Sequence, residues 1–381
     1  MKLSKLMLSA FVAAVALVSC NKEETTPLPD RLKTVEISLE NMMLTKSASE
    51  SIADQTKVQV NKFKIFLTDD SKQTVYVGKN ESGVEINPVF TAEQLEKSAV
   101  FHFVDPKCTR VIVVANYGDT DITLAELGKT LNIDGQQNED NLLLYAEQPL
   151  KPADRVHNDK LGDITYEGPV YTAELTLVPR VARFEIDGFN VAFDSADPEF
   201  NEVKFTQVAF QNYYPGTTLN TGVESGDIVK HISDFNNQSV AFGWLNGTKE
   251  AKWYWDAVNA VCTPAAPVAQ LDKALAYHMF ANQTAPTLVL QLLADGQPAY
   301  LYSKKFMDGD GKEITEFKEG HIYRMHAGSA VAGGDGDIPV DPGAIDPVDR
   351  CLEITVEVTP WTVVLVKPEF EKQISSFKKL L

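Results

Sequence analysis

The chain has 381 residues, of which 44% are hydrophobic and 23% are charged, and its formal net charge is −18. This length suffices for two domains, because a single domain usually takes roughly 100–200 residues. The acidic balance, with no basic patch among interleaved aromatics to offset it, argues against binding nucleic acid or anionic lipid through a general electrostatic field. The composition is that of a folded globular protein.

Residues 1–20 have the pattern of a signal peptide, with Lys2 and Lys5 ahead of an apolar run that is too short to span a bilayer. The run ends at Leu17-Val18-Ser19-Cys20, which resembles the lipobox of bacterial lipoproteins, and a polar tether follows over residues 21–30. In that interpretation Cys20 carries the lipid, and any membrane association comes from it. The alternative is an ordinary signal peptide in which Cys20 has no special role.

The first strand is predicted over residues 32–40, where Val35, Ile37 and Leu39 alternate with polar residues. Such alternation is typical of a strand with one buried face. The following stretch, residues 45–55, is small, polar and without periodicity, which predicts an exposed loop open to proteases. Its single basic residue is Lys46.

The sequence pattern in the middle of the chain predicts many short strands joined by Gly-, Pro- and Asn-rich turns, with no regular alternation of strands and helices. This order of elements favours two β-sandwich-like domains, with a boundary near residue 180. Residues 110–116 are expected to form a central strand buried on both faces, and residues 124–131 a helix capped by Asp121 or Thr123. The other predicted strands cover residues 57–67, 74–77, 99–104, 142–145, 173–178, 180–186, 203–210, 240–242, 288–293, 300–306 and 321–325.

Residues 327–350 are rich in Gly, Pro, Asp and Ala, which is typical of a flexible tether. The strand predicted after it, over residues 352–358, closely matches the strand at residues 35–40, so one groove in the fold could accept either of them. Its apolar residues, and those of the run that follows, are Leu352, Ile354, Val356, Val358, Trp361, Val363 and Leu365.

No catalytic, metal or cofactor motif is found: the sequence has no nucleophile elbow, zinc-binding helix, phosphate loop or cysteine–histidine nucleophile pair. Asp308-Gly309-Asp310-Gly311 is interpreted as a turn and not a calcium loop, because Lys312 stands where a ligand oxygen is needed. The six histidines are expected on surfaces or strand faces. Cys108, Cys262 and Cys351 lack zinc-site spacing and are expected to be small buried hydrophobes.

The aromatic cluster Trp253-Tyr254-Trp255 allows two interpretations. It could form a sugar-stacking platform, or it could pack within the sandwich as aromatics in such folds more often do. The sugar-binding interpretation would make the chain a surface glycan-binding lipoprotein that uses Trp253 and Trp255.

Several of these features, in this order, resemble the FimA-type fimbrillins, the type V pilins of Bacteroides-like bacteria. They are the lipobox, the early alternating strand, the basic residue in the next loop, and the motifs Val111-Ile112-Val113-Val114-Ala115-Asn116, Arg180-Val181-Ala182-Arg183 and Val356-Glu357-Val358-Thr359-Pro360-Trp361. The likeness spans nearly the whole chain.

The resemblance implies a non-enzymatic stalk subunit with two tandem transthyretin-like β-sandwich domains, minor helices and a C-terminal donor-strand arm. A trypsin-like protease would cut between Lys46 and Ser47, releasing the lipidated propeptide with its first strand. The C-terminal strand of another copy would then fill the groove, giving a head-to-tail fimbria that supports adhesion and biofilm. The expected divisions are a signal peptide (1–20), propeptide (21–46), two domains (47–180 and 181–326), linker (327–350) and arm (351–381).

The expected partners are other copies of the chain, anchor and tip fimbrial subunits, the protease, and the outer membrane through the precursor's lipid. Two departures from the family pattern leave alternatives open. The best-matching members are cut at an arginine, and here Arg31 is a second basic site, although cutting there would leave the first strand in place. An apolar tail after Pro368 also extends the chain. A fimbrial anchor that keeps its lipid is the alternative function within the same family.

Overall fold

The computed structural model describes residues 32–39, 43–46, 57–60, 62–91, 99–118, 121–137, 142–161, 164–191, 193, 200–229, 254–281, 286–308, 310, 312–325, 351–355, 357–360 and 362–367. Over these residues the fold is all-β, as predicted, with 26 strands in several sheets. The helical segments described are two short 3₁₀ helices, Leu124–Gly128 and Ile133–Gln136.

The strands up to residue 179 are short at first and lengthen toward a long hairpin. In chain order they are β1 (Lys33–Leu39), β2 (Met43–Lys46), β3 (Lys57–Val60), β4 (Lys62–Thr68), β5 (Val75–Tyr76), β6 (Val89–Thr91), β7 (Ala99–Val104), β8 (Arg110–Ala115), β9 (Thr130–Asn132), β10 (Leu144–Pro149), β11 (Lys151–Leu161), β12 (Ile164–Leu175) and β13 (Val178–Pro179).

The strands after residue 180 begin with two long strands and end with three near the C-terminus. They are β14 (Val181–Asn190), β15 (Val203–Gln211), β16 (Gly216–Thr218), β17 (Glu224–Ser225), β18 (Trp255–Cys262), β19 (Val268–Phe280), β20 (Thr287–Ala294), β21 (Gln297–Met307), β22 (Glu313–Ile314), β23 (His321–Met325), β24 (Cys351–Thr355), β25 (Glu357–Pro360) and β26 (Thr362–Lys367).

The first hydrophobic core lies between a four-stranded sheet, ordered β11-β12-β1-β7, and a six-stranded sheet, ordered β13-β10-β8-β4-β5 with β6 also on β4. Val113 of β8 faces this core, whereas Ile112 and Val114 face a smaller cluster that includes Leu127 of the first 3₁₀ helix. Strand β8 is therefore buried on both faces, as its continuous run of β-branched residues predicted.

The second core has the same plan. A four-stranded sheet ordered β19-β14-β23-β25 faces a six-stranded sheet ordered β18-β15-β20-β21-β22, with β24 also on β21. Phenylalanine rings fill it: Phe184 stacks on Phe317 at 5.6 Å between centroids, and Phe189 stacks on Phe205 at 4.2 Å. The two face-to-face sheet pairs are β-sandwiches, which is the predicted architecture.

The two cores meet at the start of β14, where Val181 belongs to the first core and Ala182 to the second. Hydrogen bonds reinforce this junction: Gln137 Nε2 donates to the carbonyl oxygen of His278 at 2.8 Å, and the His278 imidazole Nδ1 lies 2.8 Å from the carbonyl oxygen of Gln136. Burial of His278 and the nearby Arg183 charge lower its pKa to about 3. His278 thus lies on a buried face of strand β19, one of the two placements expected for the histidines.

Several predicted elements have different bounds in the structure. The helix expected over 124–131 is a 3₁₀ helix that ends at Gly128, because Leu131 turns away to pair with Thr217 of β16. The strand expected over 57–67 is two strands, β3 and β4. Thr45 and Lys46, expected in a loop, end strand β2. The strand expected over 240–242 lies outside the described residues.

Candidate functional site

Strand β1 lies in the interior of its sheet although it comes first in the described chain. It pairs in parallel with β12, from Thr34 opposite Val170 to Leu39 opposite Leu175. On its other side it pairs antiparallel with β7, for example Glu36 opposite Val100. Without β1, the facing edges of β12 and β7 would both lose their ladder hydrogen bonds.

The three apolar residues singled out in this strand share one face. Val35 and Ile37 are fully buried in the first core, and half-buried Leu39 packs against it. Burying each of the first two side chains is worth roughly 1.5–3 kcal/mol. The space that β1 occupies is therefore a groove with a hydrophobic floor and two hydrogen-bonding walls, and it is called the β1 groove below.

A buried lysine closes one end of the β1 groove. Lys33 is 3% exposed, and its ammonium donates to the carbonyl oxygens of Cys108 and, at 3.3 Å, Pro106. It also lies 4.3 Å from the centroid of the Tyr171 ring, a cation–π arrangement. Burial lowers the pKa of Lys33, while Asp105 nearby acts in the opposite direction. This cation site was not predicted, although Lys33 stands in the buried phase of the alternation.

On the solvent side of β1, Glu36 forms an ion pair with Arg155 of β11. Strand β12 lies between these two strands, so the arginine reaches across it. Both partners keep exposure, with 53% of the arginine side chain and 21% of the glutamate accessible. Such an exposed pair is worth at most about 1 kcal/mol.

The predicted cleavage residue Lys46 is the last residue of β2. In the sheet ordered β2-β26-β3, Lys46 is opposite Lys367 of β26, and β26 continues in parallel along β3 with Val363 opposite Val58. Ser47, the alternative site Arg31 and the lipidation residue Cys20 lie outside the described residues.

The single C-terminal strand expected over 352–358 is two strands in two different sheets. Strand β24 runs parallel to β21, with Leu352 opposite Ser303 and Ile354 opposite Phe306. Strand β25 runs antiparallel to β23, with Val358 opposite Tyr323. The C-terminal strands thus lie on their own chain, extending both sheets of the second sandwich. Val356 and Trp361 lie outside the described residues, and Leu365 belongs to β26, where it is opposite Val60.

The other candidate sites are described in part. Asp308 closes a turn, since its carboxylate accepts the backbone N–H groups of Asp310 and Lys312. Half-buried Tyr254 packs against the first core, 6.2 Å from the Tyr213 ring, while Trp255 begins β18. Trp253 is not among the described residues.

The thiols of Cys108 and Cys262 are free and buried, as predicted, and burial raises the pKa of each to about 11. Within the described residues, no group of three or more His, Cys, Asp or Glu side chains is arranged to hold a metal ion. None of the helices described there has the length and apolar character of a membrane span.

No protein-family profile and no curated protein match the sequence. Solved structures do match. A protein from Bacteroides eggerthii described as a cell adhesion protein is 13% identical, with 89% of this chain and 99% of that chain covered and a TM-score of 0.45. Fimbrilin FimA from Porphyromonas gingivalis is 11% identical over 88% of this chain and 99% of its own, with a TM-score of 0.45.

A third structure, the tip fimbrial protein Mfa3 from Porphyromonas gingivalis with a C-terminal truncation, is 8% identical. It covers 87% of this chain and 100% of its own length, with a TM-score of 0.40.

Proposed function

We propose that the protein is a structural fimbrial subunit that polymerises by strand exchange through the β1 groove. The observation that carries the proposal is the position of β1 between β12 and β7. A strand at the beginning of the chain fills the middle of a sheet, and residues 40–56 are the only covalent connection between it and β3. One peptide-bond cleavage within that connection therefore leaves β1 held by non-covalent contacts alone.

Cleavage between Lys46 and Ser47 by a trypsin-like protease is the proposed maturation step. It separates both β1 and β2 from the rest of the chain. Loss of β1 opens the β1 groove and exposes the part of the first core that Val35 and Ile37 cover. Because two strand edges lose their partners at once, the open groove is strongly unfavourable and favours capture of another strand.

The proposed replacement is the C-terminal strand of a second copy, with Leu352, Ile354 and Val356 on the face that enters the core. The alternation of apolar and polar residues there has the same period as that of β1, so the apolar residues can all face one way. The contact joins two different surfaces and does not close on itself. Repeating it adds subunits head to tail and produces a filament.

In the precursor the same C-terminal strands pair with β21, β23, β2 and β3 of their own chain. Donation therefore requires them to leave these positions. The contacts that β24 and β25 lose are at sheet edges, whereas the groove offers pairing on both sides and a hydrophobic floor; β26 lies between β2 and β3. For β24 and β25, the exchange replaces pairing along one strand edge with pairing along both edges.

The rest of the proposal follows from the sequence. Cys20 carries a lipid that anchors the precursor to the outer membrane. After cleavage, the mature subunit is part of a fimbria at the cell surface. Residues 47–180 and 181–326 are its two domains, and 327–350 is the linker to the donor arm. Anchor and tip subunits would form the two ends of the filament, where a subunit donates no strand or accepts none.

The direct test treats purified precursor with a trypsin-like protease and follows the size of the products. The expected result is a ladder of polymers that forms only after cleavage. Monomers that remain monomeric after complete cleavage at Lys46 would contradict the proposal. A precursor that polymerises uncut with its first strand in place would contradict it as well.

A further inference from the structure

The strand in the β1 groove and the C-terminal strand match residue by residue. Residues 35–40 read Val-Glu-Ile-Ser-Leu-Glu, and residues 352–357 read Leu-Glu-Ile-Thr-Val-Glu. Each apolar residue meets an apolar one, each acid meets an acid, and the serine meets a threonine. Extending the match backward by two places brings Arg350 to the position of Lys33.

This last correspondence is informative because the place of Lys33 is a built cation site. Two backbone carbonyl oxygens, those of Pro106 and Cys108, accept from the ammonium, and the face of the Tyr171 ring lies beside it. None of these groups belongs to β1, so the site remains when β1 leaves. A guanidinium suits it, since it carries only donors for the two carbonyl oxygens, is more weakly hydrated than an ammonium and so loses less on burial, and stacks on aromatic faces.

A second polar contact fixes the same alignment from the solvent side. Arg155 belongs to β11 and pairs with Glu36 in the precursor. When β1 leaves, this arginine loses its partner. In the residue-by-residue match Glu353 takes the place of Glu36, and it would face Arg155 from the same position.

We propose that residues 350–357 of a second copy enter the β1 groove in one fixed register, with Leu352 in the place of Val35, Arg350 in the cation site and Glu353 facing Arg155. The inference rests on the proposed strand exchange and specifies its register. The incoming strand runs parallel to β12 and antiparallel to β7, as β1 does. Leu352 is then opposite Tyr171 and Phe101, the partners of Val35.

Neighbouring registers that keep the apolar face inward lose these contacts. A shift that puts Ile354 in the place of Val35 brings Leu352 to the cation site and Thr355 to Arg155, so both charged contacts are lost. The opposite shift puts Arg350 in the place of Val35, where it would bury a charge in the hydrophobic core. The apolar pattern alone repeats every two residues, so these polar contacts determine which repeat is used.

The register can be tested by crosslinking in assembled fimbriae. Val100 of β7 is opposite Glu36 in the precursor, so the proposed register places it opposite Glu353 of the neighbouring subunit. The full-length chain carrying Val100→Cys, Glu353→Cys and Cys351→Ser keeps Arg350, which still specifies the register when Glu353 is replaced, and should form a ladder of oxidised, reducible oligomers. The matched control replaces Thr355→Cys instead of Glu353→Cys, and single-cysteine variants report background.

A ladder with the cysteine at 353 and little with the cysteine at 355 supports the register. Fimbriae that crosslink at 355 and not at 353, or at neither, overturn the register while leaving strand exchange standing. Unaltered protein that is cut but forms no polymer overturns the proposed function, and the inference fails with it.

The cation site is tested separately with Arg350 variants. Arg350→Met keeps an unbranched apolar stem and removes the charge and the donors, and we expect assembly of cut subunits to slow about tenfold. Arg350→Lys should restore most of the rate, because an ammonium already occupies this site in the precursor. Equal assembly rates for Arg350→Met and the unaltered protein would overturn the assignment of Arg350 to the site.

Discussion

The backbone carbonyl of Leu32 lies against Gly168 of β12, so closely that a Cβ at residue 168 would stand 2.5 Å from the carbonyl oxygen. Real Cβ atoms are not found that near to a backbone atom, so a side chain there must push the two chains apart. Because Leu32 directly precedes β1, a glycine at residue 168 is needed for the start of β1 to pack against β12 at this end of the β1 groove.

Gly168→Ala is expected to destabilise the precursor by about 1–3 kcal/mol, because the added methyl displaces the start of β1. Urea unfolding of the purified precursor measures the change. Gly135→Ala is a suitable control, since nothing lies within 4 Å of a Cβ at that residue. Equal losses in both variants would show that the close approach to Leu32 is not the cause.

Lys33 should make the precursor less stable at neutral pH than at alkaline pH. Burial lowers the pKa of Lys33 in the folded state, so between that value and the unfolded value near 10.5 the unfolded chain binds more protons. Its contribution to the free energy of unfolding therefore rises with pH across that window. The difference in stability between the unaltered chain and Lys33→Met, measured from neutral pH to pH 10, should shift in favour of the unaltered chain.

This comparison uses a difference because several tyrosines titrate in the same range. Tyr117, for example, has its pKa raised to about 12 by burial, which lowers stability as the unfolded tyrosine ionises. Such effects are shared by both proteins and cancel. A difference that does not change with pH would contradict the assigned cost of burying the Lys33 charge.

His278 should make the junction between the two cores acid-sensitive. Its pKa is lowered to about 3 in the folded state, whereas an exposed histidine titrates near 6.5. Stability is therefore lost as the pH falls from about 6.5 toward 3, by at most about 1.4 kcal/mol per pH unit. His278→Gln should flatten the pH dependence of urea unfolding in this range, and an unchanged slope would contradict the assignment.

Lys46→Ala should block maturation, because a trypsin-like protease needs a basic residue before the cut, while the monomer stays folded. Lys46→Arg should be processed normally, and Arg31→Ala should leave processing unaffected. Western blots and electron microscopy of cells that carry each variant would check these outcomes. Loss of processing in Arg31→Ala alone would place the essential cut before β1 and contradict groove opening.

Removing residues 351–381 should give subunits that are cut and accept a strand but cannot donate one. Full-length Lys46→Ala has the complementary defect, since it can donate but keeps β1 in its groove. Mixing the cut truncated protein with Lys46→Ala should therefore yield dimers of one copy of each and no longer species. Light scattering coupled to size exclusion measures this, and long polymers from the truncated protein alone would contradict donation by the C-terminal strand.

The alternating and continuous apolar patterns predicted much of the fold. The run at 110–116 indicated a strand covered on both faces, and β8 has that environment. The alternation at 35–39 correctly placed Val35 and Ile37 on a buried face. These predictions succeed because successive side chains point to opposite faces of a strand, so the spacing of apolar residues shows which faces are buried.

Other features depend on distant parts of the chain. Strand β11 is exposed along most of its length and has no apolar period, so its position follows from pairing with β12. The stretch 352–358 has an unbroken alternation, yet its two halves pair with different sheets, because separate edges of the second sandwich are open to it. The cation site around Lys33 combines residues from β1, β12 and the turn before β8, which no local pattern could bring together.

The most direct measurement is the amino-terminal residue of the subunits in purified fimbriae, determined by mass spectrometry. We expect Ser47, with residues 1–46 absent from the assembled polymer. Fimbriae built of subunits that retain β1 and begin at a lipidated Cys20 would contradict the exchange of β1 for a donated strand.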